Sequence, residues 1–171
     1  VDISNENLSI EGIAKDSASY DDLIAALSGK VAGNGVVASH AITPPRVSPY
    51  VFSVVKSAGG VALAGVVPSV EVRAKLLAAA AEAAGDGVVL VKTTLASGEP
   101  DGFAALAQFS VAQLSRFKTG QVSLADSALS VAGTANDLAA YGSSLAELSA
   151  ALPSGAVLAS QSISPPAVSP Y

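Results

Sequence analysis

At 171 residues the chain has room for one large domain or two to three small ones, and its apolar half is mostly Ala and Val, with 5% aromatics and no Trp. A mean hydropathy of +0.51 with 13% charged residues argues against disorder. A net charge of −5 with few, scattered Lys and Arg leaves no basic patch for nucleic acid, and the absence of Cys removes disulfides and thiolate metal sites.

The elements follow in a repeating order. Extended segments near 1–4 and 8–12 are joined at Asn5-Glu6-Asn7, the second reading Leu8-Ser9-Ile10-Glu11-Gly12. Alternation of apolar and polar residues marks a half-buried strand, which the Gly is expected to end. Asp16 then stands as a helix N-cap before a helix over 17–28, with Tyr20, Leu23, Ile24 and Leu27 as its apolar stripe. Gly33-Asn34-Gly35 breaks that helix, and a strand runs from Val36 to Ile42.

The second round has extended segments at 50–56 and Val61–Gly65, turned at Ser57-Ala58-Gly59-Gly60. Ser69 caps a helix over 70–84, Gly85-Asp86-Gly87 breaks it, and a strand covers Val88 to Leu95. An added amphipathic helix is expected between Asp101 and Lys118, with Phe103, Leu106, Ala107, Ser110, Leu114 and Phe117 on one face. The third round repeats the pattern: 120–125, a turn at Asp126-Ser127, Leu129–Gly133, cap Asp137, a helix over 138–152, a break at Pro153-Ser154-Gly155, and a strand from Ala156 to Ile163.

The unit is therefore β-β-α-β, written three times, and the expected fold is α+β, with small sheets carrying helices on one face. The units are 1–43, without the leading helix; 50–98; and 99–164, with it. The ends of the chain are near-copies: residues 1–50 and 122–171 align without a gap and share 21 of 50 positions. Both close on one phrase, Pro44-Pro45-Arg46-Val47-Ser48-Pro49-Tyr50 and Pro165-Pro166-Ala167-Val168-Ser169-Pro170-Tyr171. Proline stiffens such a segment, so 44–49 and 165–171 read as inter-unit joints. Their candidate joint residues are Pro44, Pro45, Val47, Ser48, Pro49, Tyr50, Pro165, Pro166, Val168, Ser169, Pro170 and Tyr171, each Tyr packing into the unit that follows. A polyproline-type ligand for a partner's groove is the other reading of the phrase. Met is absent, Val stands at position 1, and unit one lacks the helix that precedes unit three, so the sequence reads as a segment cut from a longer protein.

No catalytic, cofactor or metal site is expected. His40 is the only histidine, without Cys, His or spaced carboxylates near it in sequence. Gly29-Lys30 is followed by Val31, not the Ser or Thr a phosphate loop needs, and no nucleophile elbow occurs. Asp16, Asp21 and Asp22 suit a helix start as well as a cation, and Gly98-Glu99-Pro100-Asp101-Gly102 reads as a turn opening a helix. Asn7-Leu8-Ser9 matches the glycosylation pattern. The longest uncharged stretch, Leu148 to Tyr171, carries four Pro and several Ser, which excludes a membrane span.

A β-β-α-β unit with a Gly at the end of its second strand resembles the BON domain of bacterial envelope proteins, on Val122-Ser123-Leu124, Leu129–Gly133, the helix after Asp137 and the strand to Ile163. Ser48-Pro49-Tyr50-Val51-Phe52-Ser53 followed by Val61–Pro68 resembles the repeated periplasmic region of OmpA-family proteins in alphaproteobacteria. The resemblance implies a periplasmic or cell-envelope location, with outer-membrane association through the parent protein. Repetition without any constellation of reactive groups points to a non-enzymatic spacer or interaction scaffold within such a protein, with other repeats, envelope proteins or phospholipid as its expected partners. The alternatives are a self-assembling filament or ring subunit and a phospholipid-binding module.

Overall fold

The computed structural model describes residues 2–4, 7–28 and 36–167. Its elements are β1 (Asp2–Ser4), β2 (Asn7–Ile13), α1 (Ser17–Ser28), β3 (Val36–Thr43), β4 (Val51–Ser57), β5 (Gly60–Val67), α2 (Val70–Ala84), β6 (Val88–Leu95), α3 (Phe103–Leu114), β7 (Phe117–Ala125), β8 (Ala128–Ala135), α4 (Leu138–Ala150) and β9 (Val157–Ser164). This is a mixed α+β chain in which the order β-β-α-β occurs three times, with α3 inserted before the third. The turns expected at Asn5-Glu6 and Gly33-Asn34-Gly35 lie outside the described residues.

Capping starts three of the helices as the sequence predicts. The backbone N–H of Ser19 donates to Asp16 Oδ1 at 2.8 Å, that of Val72 to Ser69 Oγ at 3.2 Å, and that of Ala140 to Asp137 Oδ1 at 2.7 Å. α4 stops at Ala150 rather than 152 because Pro153 pushes its predecessor out of helical geometry. α3 stops at Leu114, short of Lys118. Asn136 holds the turn that follows, its backbone N–H on the Arg116 carbonyl at 2.8 Å and its Nδ2 on the Ser115 carbonyl at 2.9 Å, and Phe117 turns into the sheet.

The expectation of one small sheet per unit needs correcting. β1-β2-β3 does form a three-stranded sheet, but the second and third rounds merge into one sheet of order β6-β5-β4-β7-β8-β9. The seam is the antiparallel pair β4–β7, where Val54 faces Val122, Val55 faces Gln121 and Ser53 faces Ser123. Val122 is the counterpart of Val54, as Gly133 is of Gly65, each 68 positions on. A residue paired with its own counterpart defines a local two-fold axis, so the six-stranded sheet is an isologous dimer within one chain. One physical reason for the merger is that it removes two open strand edges.

One core lies between this sheet and its helices. Phe52, Val54, Leu63, Val122, Leu124 and Val131 line the sheet side, with Leu76 and Ala80 of α2, Phe103 to Leu114 of α3 and Leu148 of α4 above them. Among the described residues every buried apolar side chain lies between Tyr50 and Leu148; the first round adds only partly buried Tyr20 and Val47 to this core.

The strands do not end at their glycines. β5 and β8 each continue two residues past Gly65 and Gly133. A Cβ on Gly65 would lie 2.3 Å from the Val51 carbonyl oxygen, and one on Gly133 would lie 2.7 Å from that of Thr119. Gly is required there because the neighbouring backbone passes too close for a side chain, with φ +106° adding to the demand at Gly65.

Candidate functional site: an inter-unit joint

After β3 the chain forms a strap along the end of β6. Ser97 donates its Oγ–H to the Pro44 carbonyl at 3.0 Å and its N–H to the Pro45 carbonyl at 2.9 Å, and its own carbonyl accepts the Val47 N–H at 2.9 Å. Arg46 thereby bridges Ser97 in parallel fashion. Pro lacks an N–H but keeps its carbonyl, so a Pro-Pro segment can still accept from a neighbouring strand end. Gly98 makes room for the strap: a Cβ there would stand 2.7 Å from the Val47 carbonyl oxygen. Pro44, Pro45 and Val47 are partly buried, whereas Ser48 and Pro49, joined by a cis peptide bond, are exposed.

The strap ends in a socket that holds Tyr50, which is fully buried. Its hydroxyl donates to the Ala96 carbonyl at 2.9 Å. Its N–H donates to Asp126 Oδ1, and its carbonyl accepts the Asp126 N–H, both at 2.9 Å. Its ring meets Phe103 edge-on, with centroids 4.9 Å apart. Three pieces distant in sequence thus converge on one residue: the end of β6 and α3 hold its side chain, and the β7–β8 turn holds its backbone. Burial, with the Glu99 charge as a lesser cause, pushes the phenol far above its ordinary value, so the hydroxyl remains a neutral donor.

Further contacts fix the first round on the second. α1 lies against β6, and Asp21 reaches Arg73 of α2 at 3.5 Å. On the opposite side of the core, Glu147 of α4 accepts from Arg116 and from Gln113 Nε2, the latter at 2.9 Å. Those hydrogen bonds, Arg116's first, hold the Glu147 carboxyl below its usual range.

The other candidates disperse. Of the three N-terminal acids, Asp16 caps α1, Asp21 faces Arg73 and Asp22 is exposed. Two hydrogen bonds from Ser19, the backbone one foremost, keep Asp16 below its ordinary pKa. Among the described residues no group of three or more His, Asp or Glu could hold a metal. His40 sits in β3 opposite Ile10. Glu99 to Gly102 form the turn that opens α3, Gly102 taking the left-handed conformation. Of the second joint, Pro165 and Ala167 are exposed and Pro166 partly buried; Val168, Ser169, Pro170 and Tyr171 lie outside the described residues. Sequence reasoning found Tyr50, put Phe103 on the apolar face of its helix and Asp126 in a turn, but brought none of them together and missed the Ala96 carbonyl and the Ser97 strap contacts; Asp126 adopts φ +54° in that turn.

No described helix is long and apolar enough to cross a membrane. Set beside known proteins, the chain matches no family model, no curated protein and no solved structure.

Proposed function

We propose that the chain is a non-enzymatic scaffold segment of a bacterial cell-envelope protein, built from BON-like units at 1–43, 50–98 and 99–164 and kin to the periplasmic repeats of OmpA-family proteins. One observation carries this reading: the joint between the first two units is anchored by a buried tyrosine, not left as a loose tether. A linker that inserts a side chain into the next body transmits orientation, which is what a spacer must do.

Because the chain has no Cys, single cysteines at exposed Glu11 and Ser143 would carry spin labels uniquely. The expected result is one narrow distance distribution between them that broadens in Tyr50→Ala. A broad distribution in the unaltered chain would overturn the spacer reading. Co-sedimentation with phospholipid vesicles and with peptidoglycan separates the remaining readings: a spacer stays in the supernatant with both. The self-assembly reading draws support from two features, the open β9 edge and exposed Val157.

A further inference from the structure

The chain carries one surface twice, once covered and once bare. The covered version is the α1–β3–strap segment, of which α1 and the Pro44–Val47 strap dock on the flank formed by α2, β6 and Ser97. Through the ungapped alignment of 1–50 with 122–171, its counterparts are α4, β9 and Pro165–Ala167. The likeness reaches the backbone: β2–β3 and β8–β9 are both parallel, and both shift register at the same aligned place, Leu8/Ser9 and Leu129/Ser130. β5–β6 has no such shift. On the third unit nothing among the described residues covers this surface. Leu138 is 64% and Val157 61% exposed, and Pro165 is exposed where Pro44 is partly buried.

We infer that the α4–β9 flank is a docking surface for a second copy of this chain, which enters by its own α2–β6 flank. The occupant is identified by what covers the sister surface within the chain. Since the two faces differ, the contact is heterologous and propagates head to tail rather than closing on itself. In a single chain the α2–β6 flank is held by the first unit, so assembly proceeds by exchange: the first unit lifts off and a neighbour's third unit replaces it. The first unit has the advantage of its tether and of Asp21 against Arg73, whereas Gly142 stands at the equivalent place in α4. A Cβ on Gly142 meets nothing within 4 Å, so an aspartate fits there.

The inference rests on the scaffold reading, and sedimentation velocity on full chains over a concentration series tests the two separately. Asp21→Arg sets like charges against Arg73 and should loosen the first unit, producing concentration-dependent growth that the unaltered chain shows least. Adding Gly142→Asp restores the ion pair between copies and should tighten association about two- to fivefold at low salt, an advantage lost at molar salt. Leu138 lies one turn from Gly142 on the same helical face, so Leu138→Glu should weaken association. Association at full strength in Leu138→Glu overturns the inference. So does a monomeric double variant whose first unit is cut rapidly in limited proteolysis. An unaltered chain whose first unit is cut as fast as that of Asp21→Arg overturns the scaffold reading itself.

Discussion

The two halves of the six-stranded sheet, β4-β5-α2-β6 and β7-β8-α4-β9, follow one path and differ where they need not agree. Their inner faces pair like with like across the axis at Val54 and Val122, because both halves share one core. Their outer faces have separated. Where the second unit shows Val55, Ala62, Leu90 and Lys92, the third has Ser123, Ser130, Ser160 and Ser162 at the equivalent places. Val55 is 44% and Leu90 55% exposed, and with Ala62 and Val88 they line a shallow apolar trough; its counterpart is lined by Gln121 and the four serines. Symmetry survives where packing enforces it and lapses where only solvent is touched.

The largest test of that contrast is at Tyr50, whose counterpart, Lys118, is exposed. Tyr50→Ala should cost about 4 kcal/mol in denaturant unfolding, as expected for emptying a buried aromatic site, while Lys118→Ala should stay within about 0.5 kcal/mol. Next come the glycines. Gly65→Ala is expected to cost about 3 kcal/mol, from a backbone clash added to an unfavourable φ. Gly133→Ala, with the clash alone, should cost less. Gly12→Ala, where a Cβ meets nothing within 4 Å, should fall within about 0.5 kcal/mol. Equal losses at all three positions would mean that close strand approach is not what selects glycine.

A smaller asymmetry is electrostatic. Glu147 has no acidic counterpart in α2, where Ala79 takes its place. Its folded-state pKa is depressed, so its contribution is present above the unfolded value, about 4.3, and lost as pH falls through the lower folded value. Glu147→Gln should therefore flatten the acid limb of a stability-versus-pH curve at a cost of about 0.5 kcal/mol at neutral pH, the pair being partly exposed. Least of all, Val55→Ser with Leu90→Ser should leave stability within about 0.5 kcal/mol. If the trough binds lipid, that double change should abolish vesicle binding and make the halves alike; unchanged binding would place it elsewhere.

Much of this architecture was legible in local chemistry. Asp16, Ser69 and Asp137 announced three helices because a cap acts within four residues of itself, and Val88–Leu95 was bounded correctly by the glycines before it and the apolar run within it. The merged sheet was not legible. β4 and β7 stand far apart in sequence, and alternation says which face of a strand is buried but not which strand lies beside it. Gly65 and Gly133 misled for a related reason: a glycine demanded by a neighbouring backbone looks, in sequence, like one that ends a strand. The Tyr50 socket depends on the Ala96 carbonyl, the Phe103 ring and Asp126, three residues with no common sequence pattern.

The β4–β7 seam also sets an order of events during synthesis. β4 leaves the ribosome roughly sixty residues before β7 exists to pair with it. At about 5–20 residues per second, that leaves its edge uncovered for about 3–12 s. Until α3 and β7 follow, the apolar residues Phe52, Val54 and Leu63 lack the partners that bury them. The nascent second unit is therefore the stretch most exposed to wrong pairing, and the point at which a holding chaperone would matter most.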